Sequence, residues 1–93
     1  MAILARFTKQ PSEVLDYDVD YTEWFGPRTD SPEAHEVVVD PGITYKSSSL
    51  VGNIVQVTLS GGADQTDYKI TVRLTTTNGL VREADFVVQV RET

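Results

Sequence analysis

Residues 67–90, with the sequence DYKITVRLTTTNGLVREADFVVQV, decide the fold class. Over residues 68–74 apolar and polar side chains alternate, and this alternation is the mark of a half-buried strand. Residues 80–90 again place most of their apolar side chains on one face, among them Phe86 and Val88. The Asn78-Gly79 pair between these segments is preferred in a type I′ turn, where both central residues have positive φ. The stretch therefore predicts an antiparallel hairpin closed by a tight turn of Asn78 and Gly79.

Shorter segments upstream also have the composition of strands and are separated by turn signals. They are residues 14–21, 36–39, 43–45 and 54–59. Residues 22–35 contain Gly26-Pro27 and Pro32 and are expected to form turns or a single helical turn. Six to seven short strands at regular spacing, without a convincing helix, predict an all-β fold: a small antiparallel β-sandwich or barrel.

Tyr68 favours the immunoglobulin-like form of the sandwich. It stands at the start of its strand, a few residues after Gly61-Gly62, and the apolar Ile70 follows it on the same face. This is the placement of a tyrosine corner, in which the tyrosine hydroxyl bonds back to the preceding loop. A strand-edge aromatic residue without that bond is the alternative.

Length, charge and cysteine content narrow the class of protein. Its 93 residues make one domain with a thin core, and the absence of cysteine excludes disulfides and thiolate zinc sites. A net charge of −6 repels nucleic acid and anionic membrane surfaces, so neither is an expected partner. The N-terminus lacks the features of a signal peptide, and no apolar run approaches the length of a membrane span. Synthesis and folding in the cytoplasm are therefore expected.

The first eleven residues, 1–11, are expected to form a mobile arm ahead of a single β-sandwich domain of residues 12–93. Ile3, Leu4 and Phe7 precede the first patterned strand, and little in the sequence would bury them. An arm of this kind becomes ordered on a partner or on a neighbouring copy. These three residues are therefore the first candidates for partner binding.

Trp24 and Phe25, in the turn-rich segment, are the second candidates. Large aromatic residues in a turn can anchor a binding partner. They can equally plug the open end of a small sandwich, which is the favoured interpretation.

No residue pattern predicts a reaction centre, a metal site or a bound cofactor. The carboxylates of Asp16, Asp18 and Asp20 suggest calcium, but alternate strand residues lie ~6.5–7 Å apart, so a solvated strand face is favoured. Catalysis by His35 would need a serine of residues 47–49 and an orienting carboxylate beside it, which no spacing suggests. His35 is expected at the surface, and the protein is not expected to be an enzyme.

Two phrases resemble small proteins encoded among the structural genes of tailed bacteriophages and prophages. In FTKQPSEVLDYDVDYTEWF, residues 7–25, a Lys-x-Pro segment leads to Val-Leu-Asp-Tyr and then to Val-Asp with a following aromatic residue. In residues 57–90, a strand ending Leu-Ser-Gly-Gly precedes a Tyr-led strand, Thr-Thr-Asn-Gly and a closing strand. The resemblance covers residues 7–90 and departs from the family pattern at Tyr21, where Trp is commoner, and over the acidic, Pro-rich residues 27–36.

The resemblance implies a minor virion component, a fibre–tail or head–tail adaptor, without catalytic residues or cofactor. Its partners would be other virion proteins or copies of itself, and it would reach the virion after synthesis in the bacterial host cytoplasm. A free-standing ligand-binding β domain of the carbohydrate or adhesin type is the alternative, and a small enzyme is the third class. An adaptor needs an exposed strand edge or apolar patch, a sugar binder needs aromatics flanked by amides and acids, and an enzyme needs convergent titratable groups.

Overall fold

The computed structural model describes the backbone of residues 3–92 and the side chains from Ala5 onward. Its elements are β1 (Ile3–Lys9), β2 (Val14–Asp20), α1 (Thr22–Phe25), β3 (Pro32–Val39), β4 (Ile43–Val51), β5 (Ile54–Gly61), β6 (Thr66–Thr76) and β7 (Val81–Val90). The prediction of an all-β chain is confirmed, and of the two forms expected for the turn-rich segment the structure has a single helical turn, α1. Within residues 3–92, no helix has the length and apolar character that a membrane crossing requires.

The strands form two sheets, one in the order β1-β7-β6-β3 and the other in the order β2-β5-β4. The ladders β2–β5, β3–β6, β4–β5 and β6–β7 are antiparallel. The ladder between β1 and β7 is parallel, so the prediction of a purely antiparallel fold is wrong at this edge. The chain enters the second sheet directly after β1, and no hairpin therefore constrains the direction in which β1 pairs.

The core lies between the two sheets and follows from the alternation seen in the sequence. In the β6–β7 ladder, Ile70 lies opposite Phe86 and Val72 opposite Ala84, and all four side chains are buried. From the other sheet, β5 contributes Val55, Val57 and Leu59, all fully buried. Because successive strand residues point to opposite faces, the intervening residues face away from the core. On β7 two of these, Asp85 and Val87, are nevertheless buried.

The β6–β7 hairpin forms as predicted, but its turn is different. The Gly79 N–H donates to the Thr76 carbonyl at 3.0 Å, and the Thr76 N–H donates to the Leu80 carbonyl at 2.9 Å. Gly79 has φ +86°, whereas Asn78 is not among the described residues with positive φ. A type I′ turn requires positive φ at both residues, so the loop is instead the longer kind, Thr77-Asn78-Gly79, that ends in one left-handed glycine.

Tyr68 makes the contact that its position predicted. Its hydroxyl accepts a hydrogen bond from the backbone N–H of Ala63 at 2.8 Å. Two glycines with positive φ, Gly42 and Gly62, approach opposite edges of the buried tyrosine ring. A Cβ added to Gly42 would lie 3.0 Å from the ring, and one added to Gly62 would lie 3.2 Å from it. The strand-edge alternative for Tyr68 is therefore wrong.

The expected arm of residues 1–11 is replaced, where it is described, by strand β1 and a turn of the domain. Phe7 packs into the core, its ring centroid 5.0 Å from that of Tyr17 and 5.7 Å from that of Phe86. The aromatic partners of Phe7 lie on β2 and β7, and no local pattern in the sequence indicates them. Met1 and Ala2, and the side chains of Ile3 and Leu4, lie outside the described residues.

Lys9 ties β1 to the other sheet. Its side chain is fully buried, and Nζ donates to the carbonyls of Gly61 at 2.6 Å and Gln10 at 2.8 Å. Burial lowers the pKa of Lys9, an effect that the nearby Glu13 carboxylate partly opposes. A buried ammonium group is tolerated only with such partners. Lys9 belongs to the Lys-x-Pro phrase and Gly61 to the Leu-Ser-Gly-Gly phrase, so this hydrogen bond joins the two phrases on which the family resemblance rests.

Candidate functional site

The three aspartates of β2 lie on the solvent face, as the favoured interpretation holds. Asp16, Asp18 and Asp20 are all exposed. Asp18 accepts a hydrogen bond from Gln56 Nε2 at 3.2 Å. Hydrogen bonds from the hydroxyl and backbone N–H of Thr22 lower the pKa of Asp20. Among residues 3–92, no group of three or more His, Asp or Glu side chains is arranged to hold a metal ion.

His35 is not a simple surface residue, because the structure brings it to a serine. His35 Nε2 lies 2.7 Å from Ser48 Oγ, and Ser48 Oγ lies 2.6 Å from the Tyr45 hydroxyl. No spacing in the sequence predicts this contact, which joins edge strand β3 of one sheet to edge strand β4 of the other. In the described part of the chain no carboxylate bonds the second ring nitrogen of His35, so the orienting group of a catalytic triad is missing. The arrangement connects the two sheets.

One end of the molecule gathers three loops that the chain separates widely, and we call it the loop end: residues 21–31, 52–53 and 77–80. Residues 21–31 connect β2 to β3, and we call them the connector. The Tyr21 N–H donates to the Asn53 carbonyl at 2.9 Å, which holds the β4–β5 turn to the connector. The Thr77 N–H donates to the Ser31 carbonyl at 3.0 Å, which holds the β6–β7 turn to the same connector. The three loops therefore form one continuous surface.

Asp30 fixes the connector to the β6–β7 turn. Its Oδ1 accepts hydrogen bonds from Thr77 Oγ1 at 2.8 Å and from the Asn78 N–H at 3.1 Å. Burial alone would raise the pKa of Asp30, but hydrogen bonds from Thr76, Thr77, Ser31 and Asn78 outweigh it and lower the pKa. The carboxylate is thus held ionised, and it orders the two loops against each other.

Two aromatic residues attach the connector to the core between the sheets. The Tyr21 hydroxyl donates to the Val72 carbonyl of β6 at 2.9 Å, and burial raises the pKa of this phenol to about 12. Phe25 is only 4% exposed and belongs to the core cluster. The burial of Phe25 supports the interpretation that this residue plugs the open end of the sandwich. Its ring is therefore not exposed for contact with a partner.

Trp24 lies at the rim, half-buried, with its ring 4.9 Å from that of Phe25. Two guanidinium groups lie over the indole: Arg28 at 4.9 Å and Arg82 at 5.8 Å from the ring centroid. Leu80 lies at the end of the β6–β7 turn, two residues before Arg82, and is 43% exposed. We call Trp24, Arg28, Leu80 and Arg82 the Trp24 patch.

Sequence reasoning found Trp24 but not the rest of this patch. Arg28 follows Trp24 by four positions, but α1 ends at Phe25 and Gly26-Pro27 intervene, so no helical spacing indicates the pair. Arg82 lies on a distant strand, and no local signal places it over the indole.

The loop end also collects exposed apolar side chains. Of the seven large apolar residues exposed in the described chain, four border it: Val51, Ile54, Leu80 and Val81. Val51 is 72% exposed and Val81 is 57% exposed. Their register separates them, because Val51 and Ile54 lie on the outer face of one sheet and Val81 lies on the outer face of the other. The contact composition of the loop end therefore rests on Trp24 and its arginines, since Trp and Arg are enriched in protein-binding surfaces.

In class, the protein is a small module of two β-sheets, and one end of it carries Trp24 with two arginines over its ring. Residues 9–89 match the model of the family described as podophage GP4 fiber-tail adaptor protein gp77. Since the match covers most of the chain, this protein belongs to that family, and the predicted resemblance to a phage virion adaptor family is confirmed. A search of curated proteins finds no match.

Proposed function

We propose that this protein is a structural adaptor that links a fibre to the tail of a tailed phage or prophage. It is made in the host cytoplasm, is built into the virion, and acts by binding other virion proteins without catalysing a reaction. The observation that carries this proposal is the family match over residues 9–89. The loop end supports it, because an adaptor needs a contact surface and this end has the composition of one.

The fold proposed for this adaptor is an immunoglobulin-like sandwich. In that fold strands B, E and D form one sheet and C, F and G the other; the orders β2-β5-β4 and β3-β6-β7 would correspond to them. Tyr68 at the start of β6, bonded to Ala63, would be the tyrosine corner of strand F. Such sandwiches present their loops at the two ends, which supports a contact surface at the loop end.

Neither nucleic acid nor a membrane is a proposed partner, because the net charge of −6 opposes both. The carbohydrate-binding alternative gains no support from the Trp24 patch. A sugar-binding aromatic is flanked by amides and acids, whereas guanidinium groups flank Trp24.

Removal of the gene from the phage genome tests the adaptor proposal. We expect particles with normal heads and tails but without fibres, seen by negative-stain microscopy and by mass spectrometry of purified virions. Supply of the wild-type protein in trans should restore the fibres. Supply of the Ser48→Ala protein should restore them equally, because an adaptor that acts by binding alone needs no reaction at the His35–Ser48 contact.

Particles that keep their fibres without the gene would contradict the adaptor role. A folded Ser48→Ala protein that enters virions but leaves them inactive would contradict the absence of catalysis.

A further inference from the structure

We propose that the Trp24 patch is the surface that binds a virion partner, and that the partner presents Asp or Glu carboxylates beside apolar side chains. This inference rests on the proposed adaptor function and deepens it. It assigns the contact to one end of the molecule and states the chemistry that the partner must have.

The partner's charge is inferred from the two arginines. The ion pairs of the described residues join Arg73 to Glu36 and Glu83, and Arg91 to Asp67. Arg28 and Arg82 take part in none of them, although both are exposed and the chain has fourteen acidic residues against eight basic ones. Carboxylates on a partner would form ion pairs with both guanidinium groups. Bidentate Arg–carboxylate pairs are among the strong charged hydrogen bonds.

The apolar part of the partner surface is inferred from Trp24 and Leu80. Trp and Arg dominate the residues that carry binding energy in protein interfaces. The two guanidinium groups lie over the half-buried indole, so the patch combines an aromatic ring with two positive charges, and the exposed Leu80 adds apolar surface. A protein surface that carries apolar side chains and carboxylates fits it. Nucleobases can also stack on an indole, but the net charge of −6 opposes the binding of nucleic acid.

The patch is also held rigid before binding. Tyr21 and Phe25 fix α1 from the core side, and Asp30 fixes the connector to the β6–β7 turn. A surface that is already ordered loses less conformational entropy on association. The loop end is therefore prepared to bind without rearrangement.

The strand edges are less suited to the same task. Edge strand β3 begins with Pro32 at an irregularity in its register, and edge strand β4 carries Lys46 at another. Proline, lysine and bulges on edge strands are the usual devices that prevent pairing with another chain. Two of the four sheet edges, β3 and β4, are therefore blunted, which favours the loop end over them as the contact.

Binding of the full-length protein to the purified fibre protein and to the purified tail protein of the same phage tests the inference. The variant Arg28→Glu with Arg82→Glu should weaken binding to one of these partners about 100-fold or more, because attraction becomes repulsion. Trp24→Ala should weaken it about 30-fold, the effect of losing a principal contact. Wild-type affinity should fall as salt concentration rises.

The matched control is Lys46→Glu with Lys69→Glu. It makes the same change in net charge at two exposed lysines that lie outside the loop end, and its affinity should stay within about threefold of wild type. Circular dichroism and thermal melts identify any variant that fails to fold. The double arginine variant then remains decisive, since both of its side chains are exposed.

Folded Arg28→Glu/Arg82→Glu protein that binds both partners as wild type does would overturn the inference. Equal weakening by the lysine control would also overturn it, because net charge rather than the patch would then set the affinity. In either case the adaptor role stands if particles without the gene lack fibres. If those particles keep their fibres, the adaptor role itself fails.

Discussion

Replacement of Phe86 by alanine is expected to lower the free energy of unfolding by about 3–5 kcal/mol. Phe86 is 1% exposed, and its ring lies 5.5 Å from that of Tyr17 and 5.7 Å from that of Phe7. These contacts join β1, β2 and β7, so the cavity would open where both sheets meet. Urea denaturation of the purified protein measures the loss.

Val81→Ala is the matched control for Phe86→Ala. Val81 lies on the same strand but is 57% exposed, and its truncation should cost less than about 0.5 kcal/mol. A loss below about 1 kcal/mol for Phe86→Ala would contradict the register of β7, because a shift by one residue moves every side chain to the other face.

Gly62→Ala should also destabilise the fold strongly, by about 2–5 kcal/mol. Gly62 has φ +96°, and an added Cβ would lie 2.7 Å from Val90 Cγ2 and 3.2 Å from the Tyr68 ring. The variant therefore combines an unfavourable backbone conformation with a clash in the core. Urea denaturation again gives the free energy of unfolding.

Gly79→Ala separates these two effects. Gly79 has a similar φ of +86°, but nothing lies within 4 Å of an added Cβ. Its loss should stay near the conformational cost alone, about 1–2 kcal/mol. Equal losses for the two variants would contradict the close packing of Gly62 against Val90 and Tyr68.

The sequence predicted the β6–β7 hairpin and the burial of Phe86 well, because both depend on local alternation. It predicted the Tyr68 contact because the tyrosine and its loop lie close together in the chain. The predicted type of turn was wrong. Asn-Gly suits a type I′ turn, but the register in which Thr75 lies opposite Val81 leaves a longer loop. Side-chain pattern alone does not set that register.

Strand β1 could not be predicted, because what buries it is distant in the chain. Phe7 meets Phe86 across nearly the whole length of the chain, and Lys9 finds its carbonyl partner at Gly61. Without those partners, an apolar segment before the first clear strand has the composition of a free arm. The same reason hid the contact between His35 and Ser48.

The candidate contact surface was predicted only in part. Trp24 was chosen because a large aromatic residue in a turn suggests either a plug or an anchor. Phe25 proves to lie in the core and Trp24 at the rim, a division that depends on how α1 sits on the sheets. Arg82 reaches the indole from β7, and only the tertiary fold brings it there.

The measurement that tests the central claim most directly is a cryo-EM reconstruction of the phage tail with its fibres attached. The adaptor account predicts density for this β domain between tail and fibre, with the Trp24 patch covered by a neighbouring virion protein. Carboxylates of that neighbour should lie within salt-bridge distance of Arg28 and Arg82. A particle that lacks this protein, or one in which the loop end faces solvent, would contradict the account.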